Sequence, residues 1–215
     1  MDIYIVIVSC IFAFLAYLLG SIQIGLIVSM QFKGIDVRQY GSGKTGSTNI
    51  LRTIGVLPAV LVISLDIIKG AIPIIVSNIF FDEVIFGAVG AMFVIVGHCW
   101  PIFASFKGGR GVASAFGGFV VLAPLPALII VCIGIAIIFF TRYVSLASIT
   151  TVLISMSTII FLVGQGSLAI EILLFAIPAG LLIEFNHIDN ISLLYTSDAA
   201  DEGLGVDLGG RRNMK

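Results

Sequence analysis

Charged side chains are scarce in this chain. Asp, Glu, Lys and Arg make up 11% of its 215 residues, against about 25% in an ordinary soluble domain. With 59% hydrophobic residues and a mean hydropathy of +1.19, too little polar surface remains to coat a water-soluble globule. The composition therefore reads as an all-α integral membrane protein. The net charge of −1 says nothing about partners, because sign matters only loop by loop, and no nucleic-acid partner is expected. Cysteine is sparse too. Cys10, Cys99 and Cys132 lie in or beside apolar runs without paired or metal-ligand spacing, which excludes a disulfide framework and leaves packing roles. No metal and no cofactor is expected. Asp2 stands alone before the first apolar run and no small-residue cleavage site follows it cleanly, so the start reads as a retained span rather than a removable signal.

A spanning helix needs roughly 20 mostly apolar residues. Runs at residues 3–30, 54–81 and 84–96 supply three, the last rather short. Residues 112–140 are long enough for one tilted helix, which would give six spans, or for two short ones meeting at Pro124-Leu125-Pro126. The second reading is preferred because proline breaks a helix and restricts the residue before it, and because Arg142 then also lies inside. Residues 143–163 and 168–185 bring the expectation to about seven transmembrane helices. The first connection, 31–53, holds Lys33, Arg38, Lys44 and Arg52 against Asp36, whereas the next holds Asp82 and Glu83. By the positive-inside rule the first loop is cytoplasmic and the N-terminus external. The loop at 97–111 and His187 then fall on the cytoplasmic side as well. Ser21, Gln23, Asp66, Lys69, Glu171 and Glu184 lie in or at the ends of apolar runs. Such residues usually face the protein interior with a partner, and Asp66 and Lys69, three apart on one helix face, are suited to pair.

Three polar segments carry the chemistry. Residues 97–111 read G-H-C-W-P-I-F-A-S-F-K-G-G-R-G. Glycine lets backbone N–H groups converge on an anion, while Lys107 supplies a point charge and Arg110 a rigid fork. Gly41-Ser42-Gly43-Lys44-Thr45-Gly46-Ser47-Thr48-Asn49, followed by Arg52, is similarly rich in hydroxyls, amide donors and cations. It is not the nucleotide-binding pattern G-x-x-x-x-G-K-[ST], because Gly43-Lys44-Thr45 lacks the first glycine at its required spacing, where Arg38 stands. The third segment is His187-Ile188-Asp189-Asn190-Ile191, where a histidine and an asparagine three apart share one helical side. A juxtamembrane histidine alone is more often an interfacial anchor. Two further loops of phosphate-binding character shift the balance toward a site.

These residues resemble, in order and spacing, the three motifs of the bacterial acyl-phosphate:glycerol-3-phosphate acyltransferase family. The carriers are Ser42-Gly43 through Asn49 with Arg52; Gly97-His98, Pro101, Phe103 and Phe106 through Gly111; and His187 with Asn190-Ile191. Supporting similarity lies in Gly20-Ser21-Ile22 and Asp66 through Gly70, and the resemblance covers about residues 14–191. It implies a seven-helix enzyme of the bacterial inner membrane with its active site at the cytoplasmic face. The implied reaction moves a fatty acyl group from acyl phosphate to the sn-1 hydroxyl of glycerol 3-phosphate, giving lysophosphatidic acid. An acyl-phosphate-producing enzyme is an implied partner. Ser42, Arg52, His187 and Asn190 would hold glycerol 3-phosphate, with Lys107 or Arg110 neutralising phosphate and His98 part of the binding region. The backbone of Gly108, Gly109, Arg110 and Gly111, with Gly43, Lys44, Thr45, Gly46, Ser47 and Thr48, would cradle acyl phosphate. His187 and the substrate phosphate are both candidates for taking the hydroxyl proton. Acyl phosphate is already activated, which fits a sequence with no Ser-His-Asp arrangement and no H-x-x-x-x-D, the pair of the unrelated acyl-CoA-dependent enzymes.

The chain departs from the pattern in places. Lys44 stands where the family usually has Asn, Ser47 where it has Ala, and Arg110 where Lys is frequent. After Ile191 the family continues with a basic stretch of the form R-L-x-x-G-x-E, whereas here S-L-L-Y-T-S-D-A-A-D-E follows. Residues 193–202 resemble the translation of a sequencing-library adapter. The expectation is one membrane domain at 1–191 and a non-native, disordered tail at 192–215. The rival reading, a small transporter or channel for a phosphorylated metabolite, calls for paired broken helices and an inverted repeat, and no convincing repeat is present. A metal-dependent lipid phosphatase would need more acids than the loops hold.

Overall fold

The structure, a computed structural model, describes residues 3–188. The tail expected at 192–215 and Asn190 lie outside them. All regular structure among the described residues is helical: α1 (Ile3–Ser21), α2 (Ile24–Lys33), α3 (Ser47–Thr53), α4 (Val56–Phe80), α5 (Val84–Cys99), α6 (Val112–Leu122), α7 (Pro124–Thr141), α8 (Val144–Gly164) and α9 (Leu173–Phe185), with short 3₁₀ turns at Val37–Gln39, Ile102–Ala104 and Ile170–Ile172.

The breaks follow local chemistry. Gly34, in the left-handed region at φ 65°, closes α2 by donating its N–H to the Met30 carbonyl, the geometry only glycine adopts cheaply. Pro124 and Pro126 start α7, and the chain bends away from helix at Ala123, so residues 112–140 do form two helices. The run at 3–30 is interrupted between Ser21 and Ile24. Among the described residues, five helical stretches are long and apolar enough to cross a membrane: Ile3–Lys33, Val56–Phe80, Val84–Ala104, Pro124–Thr141 and Val144–Gly164. α6 and α9, with 11 and 13 residues, rise only about 17 and 20 Å, less than the roughly 30 Å hydrocarbon core.

α5 is the central element, packed by α1, α4, α6 and α9. Side chains are small where helices meet, as expected where neither face gains by leaving lipid and close van der Waals packing must hold the bundle. Gly20 lies flat against the Val94 carbonyl and Gly97 against the Tyr17 carbonyl, drawing α1 onto α5. Gly70 meets the Ser114 carbonyl and Gly117 the Ile67 carbonyl, drawing α4 onto α6. A larger core gathers Ile74, Ile95, Phe119, Ile130, Ile159 and Phe175. A smaller one, Val28, Val37, Ile50, Ala59 and Val62, lies around the first polar loop.

These contacts set a test. Gly117→Leu forces α4 and α6 apart and should destabilise the protein by at least about 2 kcal/mol. Gly164→Leu, with nothing within 4 Å of an added Cβ, should change stability by less than about 0.5 kcal/mol. Thermal unfolding in detergent reads both, and equal shifts would contradict the packing.

Candidate active site

The first polar loop is held by its own side chains. Asp36 grips the Arg38 guanidinium, with Nε to Oδ1 at 2.9 Å and Nη2 to Oδ2 at 2.7 Å. The Arg38 side chain, helped by the more distant Lys107 charge, holds the Asp36 carboxyl below the usual carboxylate range. Arg38 Nη1 then reaches across to donate to the Ala104 carbonyl at 2.8 Å, tying the first loop to the second. Asn49 is buried and works inward. Its amide donates to the carbonyls of Val37, Tyr40 and Lys44 at 3.2, 3.0 and 2.8 Å, and its Oδ1 accepts the Ser42 N–H at 3.2 Å. The loop thus wraps around Asn49 and presents Ser42, Lys44 and Arg52 outward.

In the second segment, Gly97 and His98 are not loop residues but the last turn of α5, and the loop proper begins at Trp100. Ser105 and Phe106 both hold positive φ, 54° and 59°, an uncommon state for side-chain-bearing residues and an outlier for a bulky one. The chain then doubles back so that Gly109 N–H donates to the His98 carbonyl at 3.1 Å, with the Gly109 Cα lying against the His98 ring. Gly111, at φ 91°, opens α6. Lys107 is exposed, whereas Arg110 is partly buried.

A buried ionic cluster stands behind these loops. Lys69 Nζ pairs with Asp66 Oδ1 at 2.7 Å, as their spacing led us to expect. It also lies 2.9 Å from His98 Nδ1 and donates to the Ile22 carbonyl at 3.2 Å, where the break between α1 and α2 leaves a carbonyl without a helical partner.

His187 follows α9 and is 2% exposed. Its Nδ1 lies 2.8 Å from the Ile183 carbonyl. A carbonyl only accepts, so Nδ1 carries the proton and Nε2 remains the acceptor of the neutral ring. Burial, reinforced by the nearby Arg110 charge, pushes the imidazole below its usual value against the pull of the Ile183 bond.

One cavity of about 360 Å³ brings these parts together. Ser42, Lys44, Gly46, Ser47, Thr48, Asn49 and Arg52 line it from the first loop and α3, His98 from α5, Arg110 and Gly111 from the second loop, and His187 from the end of α9. Gly43, Thr45, Lys107, Gly108 and Gly109 do not line it. Sequence reasoning named none of the residues that wall the body of the cavity. It is walled by apolar side chains of α6 to α9, including Phe116, Phe119, Ile130, Met156, Ile159 and Phe175. Along α8 the lining runs from Val144 to Ile159, about 22 Å of helix rise. α7 is apolar on every side, so nothing in its sequence distinguishes a cavity wall from a lipid face. The space is cationic and hydrogen-bonding at one end and mainly apolar for the rest, where Ser145, Ser148, Thr151 and Ser155 of α8 also line it and Thr151 and Ser155 donate back to carbonyls of their own helix, the outline of an amphiphile with an anionic head.

The state of His187 is testable by pH. A neutral ring is retained as pH falls through the usual imidazole range and is lost only below it. The acidic limb of kcat/KM assigned to His187 should therefore lie below that range and disappear in His187→Gln. A limb within or above the usual range would contradict the burial.

Comparison with known proteins agrees with this outline. The family model described as glycerol-3-phosphate acyltransferase matches residues 10–197. Glycerol-3-phosphate acyltransferase 3 of Dehalococcoides mccartyi (strain CBDB1) is 37% identical over 194 residues, covering 83% of this chain and 88% of that one. The Aquifex aeolicus glycerol-3-phosphate acyltransferase is 41% identical over 183 residues, 84% of this chain and 92% of its own. The crystal structure of PlsY (YgiH), an integral membrane glycerol 3-phosphate acyltransferase, in its glycerol 3-phosphate form superposes with a TM-score of 0.78 at 37% identity, over 87% of this chain and 92% of that one. Its lysophosphatidic acid form gives 0.77 at 36% identity, over 87% and 91%. With a family match across most of its length and relatives this close over most of theirs, the chain belongs to the glycerol-3-phosphate acyltransferase family.

Proposed function

We propose that this chain transfers a fatty acyl group from acyl phosphate to the sn-1 hydroxyl of glycerol 3-phosphate, releasing phosphate and giving lysophosphatidic acid. The observation that carries the reading is a cavity whose one end gathers Ser42, Arg52, Arg110 and His187 while its body is mainly apolar. The related PlsY structures, in glycerol 3-phosphate and lysophosphatidic acid forms, support the acceptor and the product.

The chemistry asks little of the protein beyond placement and charge. Acyl phosphate is a mixed anhydride with a good leaving group. The glycerol hydroxyl attacks the acyl carbonyl, an ester C–O bond forms, and the bond to phosphate breaks with its electron pair going to the departing phosphate. Arg52 and Arg110 neutralise the two phosphates, and Ser42 with the hydroxyls of Ser47 and Thr48 donates to their oxygens. His187 Nε2 accepts from the attacking hydroxyl, which orients a lone pair toward the carbonyl and provides a place for the proton. The fatty tail moves from the leaflet into the apolar body, exchanging one hydrocarbon environment for another at little cost.

We assign the site to the cytoplasmic face of the bacterial inner membrane, with seven crossings and an external N-terminus. The cations of the 31–53 connection and the acidic pair Asp82 and Glu83 in the next one support that orientation. α6 and α9 supply the two short crossings, and residues 1–191 form one enzymatic domain, with 192–215 a non-native extension. An enzyme that makes acyl phosphate is the expected upstream partner. A transport reading is less well supported, because the cavity's cations gather at the end formed by the loops.

Two measurements check the proposal. Supplied separately with glycerol 3-phosphate, acyl phosphate should yield lysophosphatidic acid, whereas acyl-CoA and acyl-carrier protein should not; use of acyl-CoA alone would defeat the donor assignment. Arg52→Ala should lower kcat/KM at least about tenfold, the scale of one charge-assisted hydrogen bond, and unchanged kinetics would remove Arg52 from the site.

A further inference from the structure

Gln23 occupies the gap between α1 and α2 and is 4% exposed. Both ends of its amide are engaged. Oε1 accepts from Thr45 Oγ1 at 2.6 Å, and Nε2 donates to the His98 carbonyl at 3.2 Å and, more weakly, to the Gly20 carbonyl at 3.4 Å. Thr45 belongs to the first polar loop. The same His98 carbonyl receives the Gly109 N–H of the second loop at 3.1 Å. One side chain therefore joins the Thr45 hydroxyl of the first loop to the His98 carbonyl at the end of α5, the same carbonyl that anchors the second loop through Gly109.

None of the three linked loop and gap residues, Gln23, Thr45 and Gly109, lines the cavity, yet their neighbours Lys44, Gly46 and Arg110 do. The bridge thus works one residue back from the surface that would meet a ligand. It is rigidly seated. Gly25 lies against the Thr45 carbonyl and Gly97 against the Ser21 N–H and the Tyr17 carbonyl, so the helices on either side have no slack. The chemistry of the link is also particular. A primary amide presents an acceptor and two donors in one plane. A leucine of similar size presents neither, and a glutamate offers no donor to the His98 carbonyl.

We propose that Gln23 is a positioning residue that fixes the register between the two loops at the cavity mouth. Each loop keeps its own internal support without it, through Asn49 in the first and the Gly109 to His98 bond in the second. What is lost is the link beneath the mouth, which leaves the Arg38 to Ala104 carbonyl bond as the remaining tie between the loops. For the kinetic consequence the inference rests on the acyl-transfer reading, in which two reactants held by different parts of the mouth must meet at one carbonyl. Loosened register then lowers kcat more than it raises the KM of either reactant.

The test uses Gln23→Leu, Thr45→Val and the double variant in the full-length protein in detergent or nanodiscs. Rates are normalised to folded enzyme and compared with hydrogen–deuterium exchange of the backbone amides. Gln23→Leu should lower kcat about tenfold with each KM changed less than about threefold. Thr45→Val should act in the same direction, and the double variant should be no slower than Gln23→Leu, because both break one link. Amides of residues 41–49 and 108–111 should exchange faster together in Gln23→Leu. A kcat within about twofold of the parent, or effects that multiply in the double variant, would overturn the positioning role. Faster exchange in only one loop, or in neither, would overturn the bridge itself. The exchange arm is independent of turnover, so a parent enzyme unable to use acyl phosphate would defeat the functional reading while the bridge is still decided.

Discussion

The structure depends on placing an ammonium group inside a helical bundle that offers almost no water. Lys69 is 4% exposed, and a lone charge there is untenable. Asp66, His98 and the Ile22 carbonyl at the break between α1 and α2 together satisfy it. Removing one member of such a buried pair typically costs about 3–5 kcal/mol, so the cluster locks three helices in one arrangement. It also makes the break tolerable, since a carbonyl freed from its helical N–H receives a charged donor. The break lets the chain between α1 and α2 reach the loops, and from there the mouth of the cavity takes its shape.

The cavity answers two solvent demands carried by one molecule. A phosphate needs cations and donors at the water boundary, and a fatty chain needs hydrocarbon. The fold separates them by element: α3 and the loops supply the first, α6 to α9 the second. Arg38 links the loops at the rim through the Ala104 carbonyl, while the buried groups link them from beneath. The site is therefore braced from two directions, which suits the proposed acyl transfer, whose catalysis would rest on orientation and charge rather than on a covalent intermediate.

Much of this was legible from residue order. Runs of apolar residues located the helices, Pro124 and Pro126 marked a real division, and the spacing of Asp66 and Lys69 foretold their ion pair. Boundaries were less readable. Gly97 and His98 look like loop residues beside a tryptophan and a proline, yet they finish α5, because Lys69 gives the His98 ring a partner inside the bundle and Gly109 gives its carbonyl one. The division of labour between neighbouring residues was also hidden. Sequence offers both Lys107 and Arg110 as phosphate-binding cations and both Thr45 and Ser47 as hydroxyl donors. The backbone turns Arg110 and Ser47 toward the cavity, while Lys107 is exposed beyond it and Thr45 is taken by Gln23. The hydrocarbon walls carried no signal, since an apolar residue facing a cavity and one facing lipid obey the same rule.

A structure of the protein with bound lysophosphatidic acid tests the central claim most directly. The account predicts the phosphate within hydrogen-bond reach of Arg52 or Arg110, with the fatty chain running down between α6 and α9 past Phe119, Ile159 and Phe175. A chain lying on the outer, lipid-facing surface of the helices, or a phosphate held away from both arginines, would contradict it.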